Sequence, residues 1–121
     1  MWHEQANALI VLDREDDVLA VQPDFRRLAA QGNVLTIVTA PGSNSDVVSR
    51  VFAPAAGIDE DPVTGSAHAI LAPYWAERLG QPSFSAYQAS TRGGRIMCLL
   101  DGDRVILSGR CVTVIEGKLS F

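Results

Sequence analysis

The sequence has little of several things, and each scarcity excludes a class of function. Among 121 residues there are only two cysteines and two histidines. They are widely spaced, and structural zinc sites need four close ligands, so no zinc site is expected. Lys and Arg number 10 against 14 Asp and Glu, for a formal charge of -4. No basic run occurs anywhere, and phosphate binding needs clustered cations, so nucleic acid is excluded as a partner. No apolar stretch approaches the roughly 20 residues a membrane helix needs. The first residues, Met1 to Gln5, lack the basic start and apolar core of a signal peptide. No membrane association and a cytoplasmic location are therefore the expectation. In that compartment Cys98 and Cys111, both in apolar stretches, read as buried free thiols. No internal repeat, low-complexity tract or linker is visible, and the length fits one domain over residues 1–121.

What is present is an ordinary core composition, 47% hydrophobic. β-branched runs bounded by turn residues predict seven strands. They are Ala8 to Asp13, Val34 to Ala40, Asp46 to Phe52, Phe84 to Ala89, Arg95 to Leu100, Arg104 to Ser108 and Cys111 to Glu116. Asp101-Gly102 is a hairpin signal, and Gly109 reads as a bulge or bend. Asp24 to Gln31 predicts a short helix ended by Gly32.

The segment Gly65 to Leu79 predicts a longer helix of another kind. From Ala67 to Trp75 only His68 is not apolar. A surface helix shows a polar face every turn, so this one is expected to be buried all round, with a kink at Pro73. One buried helix and about seven strands predict an α+β fold: a strongly curved, largely antiparallel sheet wrapped around one central helix.

Chemistry concentrates just before that helix. Residues 57 to 68 read Gly-Ile-Asp-Glu-Asp-Pro-Val-Thr-Gly-Ser-Ala-His. The first amides of a helix have no internal partners and the macrodipole is positive there, so the start at Thr64-Gly65-Ser66 suits a carboxylate or phosphate. Gly65 permits close approach. Asp61 precedes Pro62, which favours extended backbone and aims its carboxylate across the mouth. A purely structural reading stays open: Thr64 or Ser66 caps the helix and Asp61 complements the dipole.

The run Ser49-Arg50-Val51-Phe52-Ala53-Pro54, then Gly57-Ile58, then Glu60-Asp61-Pro62-Val63-Thr64-Gly65-Ser66-Ala67-His68, resembles the signature of the PhzF-like (phenazine-biosynthesis-type) isomerases. The order continues through Ala72-Pro73-Tyr74-Trp75, Gln88-Ala89-Ser90, Arg92-Gly93-Gly94 and Leu107-Ser108-Gly109. The resemblance implies the C-terminal half of a two-domain, diaminopimelate-epimerase-like fold, each domain a curved sheet around a helix, with the active site between them. It implies a catalytic role for Asp61 and substrate contacts from Thr64, Gly65 and Ser66; His68 reads more readily as a hydrogen-bonded core residue. The implied chemistry is a cofactor-independent proton shift on a small carboxylate-bearing substrate. The principal glutamate acid/base of such enzymes belongs to the N-terminal half, and Glu4 and Glu15 are not in matching contexts. Turnover by this chain alone is therefore not expected. It would be completed by a separate N-terminal half or pair as a homodimer. The alternative is a non-catalytic carboxylate-binding or dimerisation domain.

Overall fold

The computed structural model describes residues 2–3, 7–32 and 35–121. Val34, the expected start of a strand, and Glu4 lie outside them. Strand β1 is Trp2–His3 and β2 is Asn7–Val11; two short helices follow, α1 at Glu15–Leu19 and α2 at Phe25–Ala30. Then come β3 (Thr36–Pro41), β4 (Val47–Phe52), a single 3-10 turn at Pro54–Ala56, and α3 (Gly65–Leu79). The chain closes its sheet with β5 (Ser83–Gln88), β6 (Gly94–Asp101) and β7 (Arg104–Ser108).

Among the described residues, seven strands form one sheet in sequence order, β1 to β7. The pairs β2–β3 and β4–β5 are parallel and the other four are antiparallel. Parallel neighbours need a crossover, and the helices supply it: α1 and α2 link β2 to β3, and α3 links β4 to β5. The β6–β7 hairpin turns at Gly102, whose φ of 57° is the left-handed conformation such a turn demands.

Burial explains the two kinds of strand sequence. β3 and β4 are buried almost end to end, because both their faces are covered. On the inner face, Ile37, Val47, Val51, Phe84, Ala86 and Cys98 pack with Ala67, Leu71 and Trp75 of α3. On the outer face, Val38, Ala40, Val48 and Phe52 pack with Val18 of α1 and with Phe25 and Leu28 of α2. β5 and β6 alternate buried and open positions, because only their inner face is covered. Met97, Leu99 and Ile106 are consequently left exposed.

Four expectations need correcting. First, α3 is not buried all round: Ala69 and Pro73 are exposed, and Ile70 and Tyr74 are half-buried. The sheet is a curl with two ends, so it covers one side of the helix and leaves the other open. Small residues there report close packing on one side only. Pro73 lies on the open side, inside one continuous helix. Second, Cys111 to Glu116 is not a strand; the chain leaves the sheet after Ser108 and residues 109–121 are irregular. Third, Gly109 therefore marks the end of the sheet rather than a bulge within it. Fourth, only Cys98 is a buried thiol, and Cys111 is exposed. Helix α1, which the pattern analysis did not predict, hangs on one apolar anchor, Val18.

Candidate functional site

The loop from Asp59 to Thr64 joins the body of the sheet to the start of α3, and each residue from Glu60 onward has a separate tether. Glu60 receives the Arg50 guanidinium in a fork, at 2.8 Å from Nε and 3.0 Å from Nη2. The other terminal nitrogen of Arg50 donates to the carbonyls of Val18, Leu19 and Val21. Glu60 and this fork hold the Arg50 pKa above its ordinary value, against the opposing effect of burial. The amide of Asp61 donates to the Val51 carbonyl at 2.9 Å. Ser90 Oγ donates to the Pro62 carbonyl at 2.8 Å and accepts from the Gly93 amide. Val63 sits so close to Gly94 that a side chain at 94 would overlap it.

The tightest tether is Gln88, the last residue of β5, which is wholly buried. Its Oε1 accepts from the Thr64 amide at 2.8 Å. Its Nε2 donates to the Asp61 carbonyl at 2.7 Å and to Thr64 Oγ1 at 3.0 Å. The reversed side-chain amide would set donor against donor at Thr64 N, so one orientation satisfies the network. Thr64 Oγ1 accepts from Gln88 and so spends its own proton on Asp61, whose Oδ2 accepts it. Asp61 is thereby held at the helix mouth as an acceptor, half-buried beside the open first turn of α3.

Thr64 is the residue before the first turn, yet its side chain makes no capping bond. Thr64 therefore does not cap the helix; its hydroxyl serves Asp61. Gly65 and Ser66 are exposed. Among the described residues, no protein group accepts from their amides. Asp61, Thr64, Gly65 and Ser66 thus share one place, with positive backbone dipole beside a fixed carboxylate. A cleft of about 900 Å³ flanks Val63, with Arg92, Gly94, Arg95 and Arg110 in its lining. The mouth itself is outside that cleft and faces solvent directly.

His68 stands apart from this arrangement. It is wholly buried, with Nδ1 at 2.7 Å from the Thr64 carbonyl. A carbonyl can only accept, so Nδ1 carries the proton and Nε2 is bare. Nε2 has no partner among the described residues. Burial pushes the ring's pKa below its ordinary value, and the bond to Thr64 offsets this only in part. His68 is a neutral core histidine that braces the first turn. Among the described residues no cluster of His, Cys, Asp or Glu could hold a metal ion, and no helix is long and apolar enough to cross a membrane.

A sequence profile described as "Phenazine biosynthesis-like protein" matches residues 3–117. The chain belongs to the phenazine biosynthesis-like family. A Pseudomonas aeruginosa protein named as an uncharacterized isomerase is 51% identical over 111 residues, covering 92% of this chain and 42% of its own length. Another so named, from Halalkalibacterium halodurans, is 45% identical over 113 residues, covering 92% of this chain and 43% of its own. The crystal structure of a phenazine biosynthesis PhzC/PhzF protein from Clostridium difficile superposes with a TM-score of 0.84 at 39% identity, covering 96% of this chain and 45% of that one. A PhzF-family protein from Enterococcus faecalis gives a TM-score of 0.80 at 50% identity, covering 84% of this chain and 39% of that one. The chain spans about two fifths of the length of the relatives it matches. The mixed α+β fold with a curled sheet is that of the PhzF-like structures.

Residue-level reasoning named Asp61, Thr64, Gly65 and Ser66 but assigned no role to Gln88, Arg50 or Ser90. All three lie in the stretches that carry the family resemblance, which was the only signal that could have found them. Apart from Gly93, which donates to Ser90, their partners are between 10 and 32 residues away in sequence, so no local pattern records them.

Proposed function

We propose that this chain supplies one half of a PhzF-type isomerase site and shifts a proton on a small carboxylate-bearing substrate without a cofactor. In this reading α3 is the central helix of the C-terminal half of a diaminopimelate-epimerase-like fold. The observation that carries it is the Asp61 carboxylate, clamped through Thr64 and Gln88 beside the unclaimed amides of Gly65 and Ser66.

The division of labour follows from charge. The substrate carboxylate binds the amides of Gly65 and Ser66, where the helix dipole compensates it. Asp61 then faces the reacting carbons rather than the carboxylate. The principal acid/base, a glutamate of the complementary half, takes a proton from one carbon. The electron pair left behind moves through the substrate's unsaturation, and a proton returns at another carbon. Asp61 is the second carboxylate of the site and holds or passes a proton within hydrogen-bond reach of those positions. A half-site open to solvent cannot exclude water, so the isolated chain is expected to bind but not to turn over.

Two measurements test this. Acetate titrated into the chain should move the amide resonances of Gly65 and Ser66 ahead of all others. The chain completed by the remaining part of the Pseudomonas aeruginosa relative should catalyse solvent-deuterium incorporation into an unsaturated small carboxylic acid. Asp61→Asn should lower that rate by about 10²-fold or more without unfolding the protein. Acetate binding with no exchange by the completed protein would leave a carboxylate-binding domain. Full turnover by the isolated chain would place the acid/base elsewhere.

A further inference from the structure

Three acidic residues, Asp59, Glu60 and Asp61, run up to the helix mouth. Negative charge there works against a bound anion, because like charges repel. Asp61 has a place at the mouth through Thr64. Asp59 is exposed, so water and salt screen it. Glu60 is the residue to explain. Its side chain is only 20% exposed, and a partly buried charge is screened much less.

Two successive residues of β4 deal with it. The Val51 carbonyl accepts from the Asp61 amide, while the Arg50 guanidinium forks Glu60. Neighbouring side chains of a strand point to opposite faces. Val51 packs on the inner face with α3, so Arg50 lies on the outer face and draws Glu60 there. Asp61 is left at the mouth and Glu60 is turned away from it. Arg50 itself is fixed in place. Its side chain is 14% exposed and its guanidinium stands 5.0 Å from the centre of the Phe52 ring. Its remaining nitrogen donates to the carbonyls of Val18, Leu19 and Val21, at and just past the end of α1. Among the described residues no other cation pairs with Glu60.

We propose that Arg50 is a specificity-determining residue of the helix mouth. By cancelling the charge of Glu60 and holding it on the outer face, it lets the Gly65 and Ser66 amides take a carboxylate-bearing ligand. Arg50 touches neither ligand nor reacting atoms and acts through Glu60. The inference rests on the reading of the mouth as a carboxylate site and adds what makes an anion acceptable there. Freed of Arg50, the Glu60 charge would stand about 8 Å from a bound carboxylate, which near a protein surface weakens binding about three- to tenfold. Lys cannot replace Arg50, because one ammonium cannot fork Glu60 and serve three carbonyls at once.

The test is acetate titration of the full chain at low salt, read from the Gly65 and Ser66 amide resonances. Arg50→Gln should bind acetate about three- to tenfold more weakly than wild type. Arg50→Gln combined with Glu60→Gln should recover to within about twofold of wild type, because the offending charge is gone. The loss in Arg50→Gln should also shrink in about 0.5 M salt. A merely structural ion pair gives the opposite result, since the double variant lacks the pair as well and would stay weak. Glu60→Gln alone should bind acetate at least as tightly as wild type, and it decides the matter if Arg50→Gln does not fold. Wild-type affinity in Arg50→Gln, no recovery in the double variant, or weaker binding by Glu60→Gln would overturn the proposal while leaving the carboxylate site standing. Acetate that moves neither amide in the wild-type chain would overturn the site reading, and this inference with it.

Discussion

Replacing Gln88 by Ala is the most informative single change to the site's framework. Gln88 is wholly buried and makes three hydrogen bonds, to the Thr64 amide, Thr64 Oγ1 and the Asp61 carbonyl. Truncation leaves these partners differently placed. Thr64 is 7% exposed, so its amide and hydroxyl lose a partner that water cannot easily replace. A buried group left unsatisfied costs about 1–3 kcal/mol. The Asp61 carbonyl is half-buried and recovers part of its loss from solvent. With the space left by the side chain included, the total is about 2–4 kcal/mol. For a chain of this size that corresponds to a fall in Tm on the order of 10 °C. Thermal and guanidinium denaturation of the full chain measure it. Gln88→Glu separates two contributions: it keeps the volume and the acceptor for Thr64 N but loses the donor to Asp61 O and Thr64 Oγ1. A cycle with Thr64→Val should show coupling above about 0.5 kcal/mol, since the two residues touch. A Gln88→Ala protein within about 0.5 kcal/mol of wild type, with additive behaviour in that cycle, would refute the clamp.

Three further outcomes are expected. His68 is held neutral by burial, with a pKa below its ordinary 6.5, so the unfolded chain takes up the proton first as pH falls. Its contribution is whole above that value and drains as pH drops below it; denaturation midpoints between about pH 5 and 7 should show this slope, and His68→Gln should flatten it. Cys111 is exposed, whereas Cys98 is buried with a thiol pKa pushed up to about 11. Iodoacetamide should therefore modify Cys111 alone in the native lone chain and both after unfolding; equal rates would contradict the packing of β6. Gly94→Ala should cost about 1–3 kcal/mol by forcing a methyl into Val63, and Val63→Ala should recover much of it; a Gly94→Ala protein of unchanged Tm would show that the loop yields.

Much of the fold was legible in local pattern. Arg104 to Ser108 was predicted with the bounds it has, because a glycine turn and a β-branched run are decided within a few residues. The start and end of α3 at Gly65 and Leu79 were legible for the same reason. So was the α2 boundary, where Asp24 accepts from the Arg27 amide. Patterns failed where a residue's surroundings come from elsewhere. Ala69 and Pro73 are as apolar as Ala67 and Leu71, and only the open side of the curled sheet makes them exposed. Val112, Val114 and Ile115 have strand chemistry but no strand beside them, because pairing needs a second edge that residue type does not contain. Asp61, Thr64, Gly65 and Ser66 could be named from their position before a helix, since uncapped amides and a dipole are local properties. That Thr64 turns its hydroxyl to Asp61 instead of capping the helix depends on Gln88, 24 residues further on. Sequence alone determined which groups stand at the mouth; the sheet that carries Gln88, Arg50 and Ser90 to them decided how those groups are held, because hydrogen bonds are made across space and not along the chain.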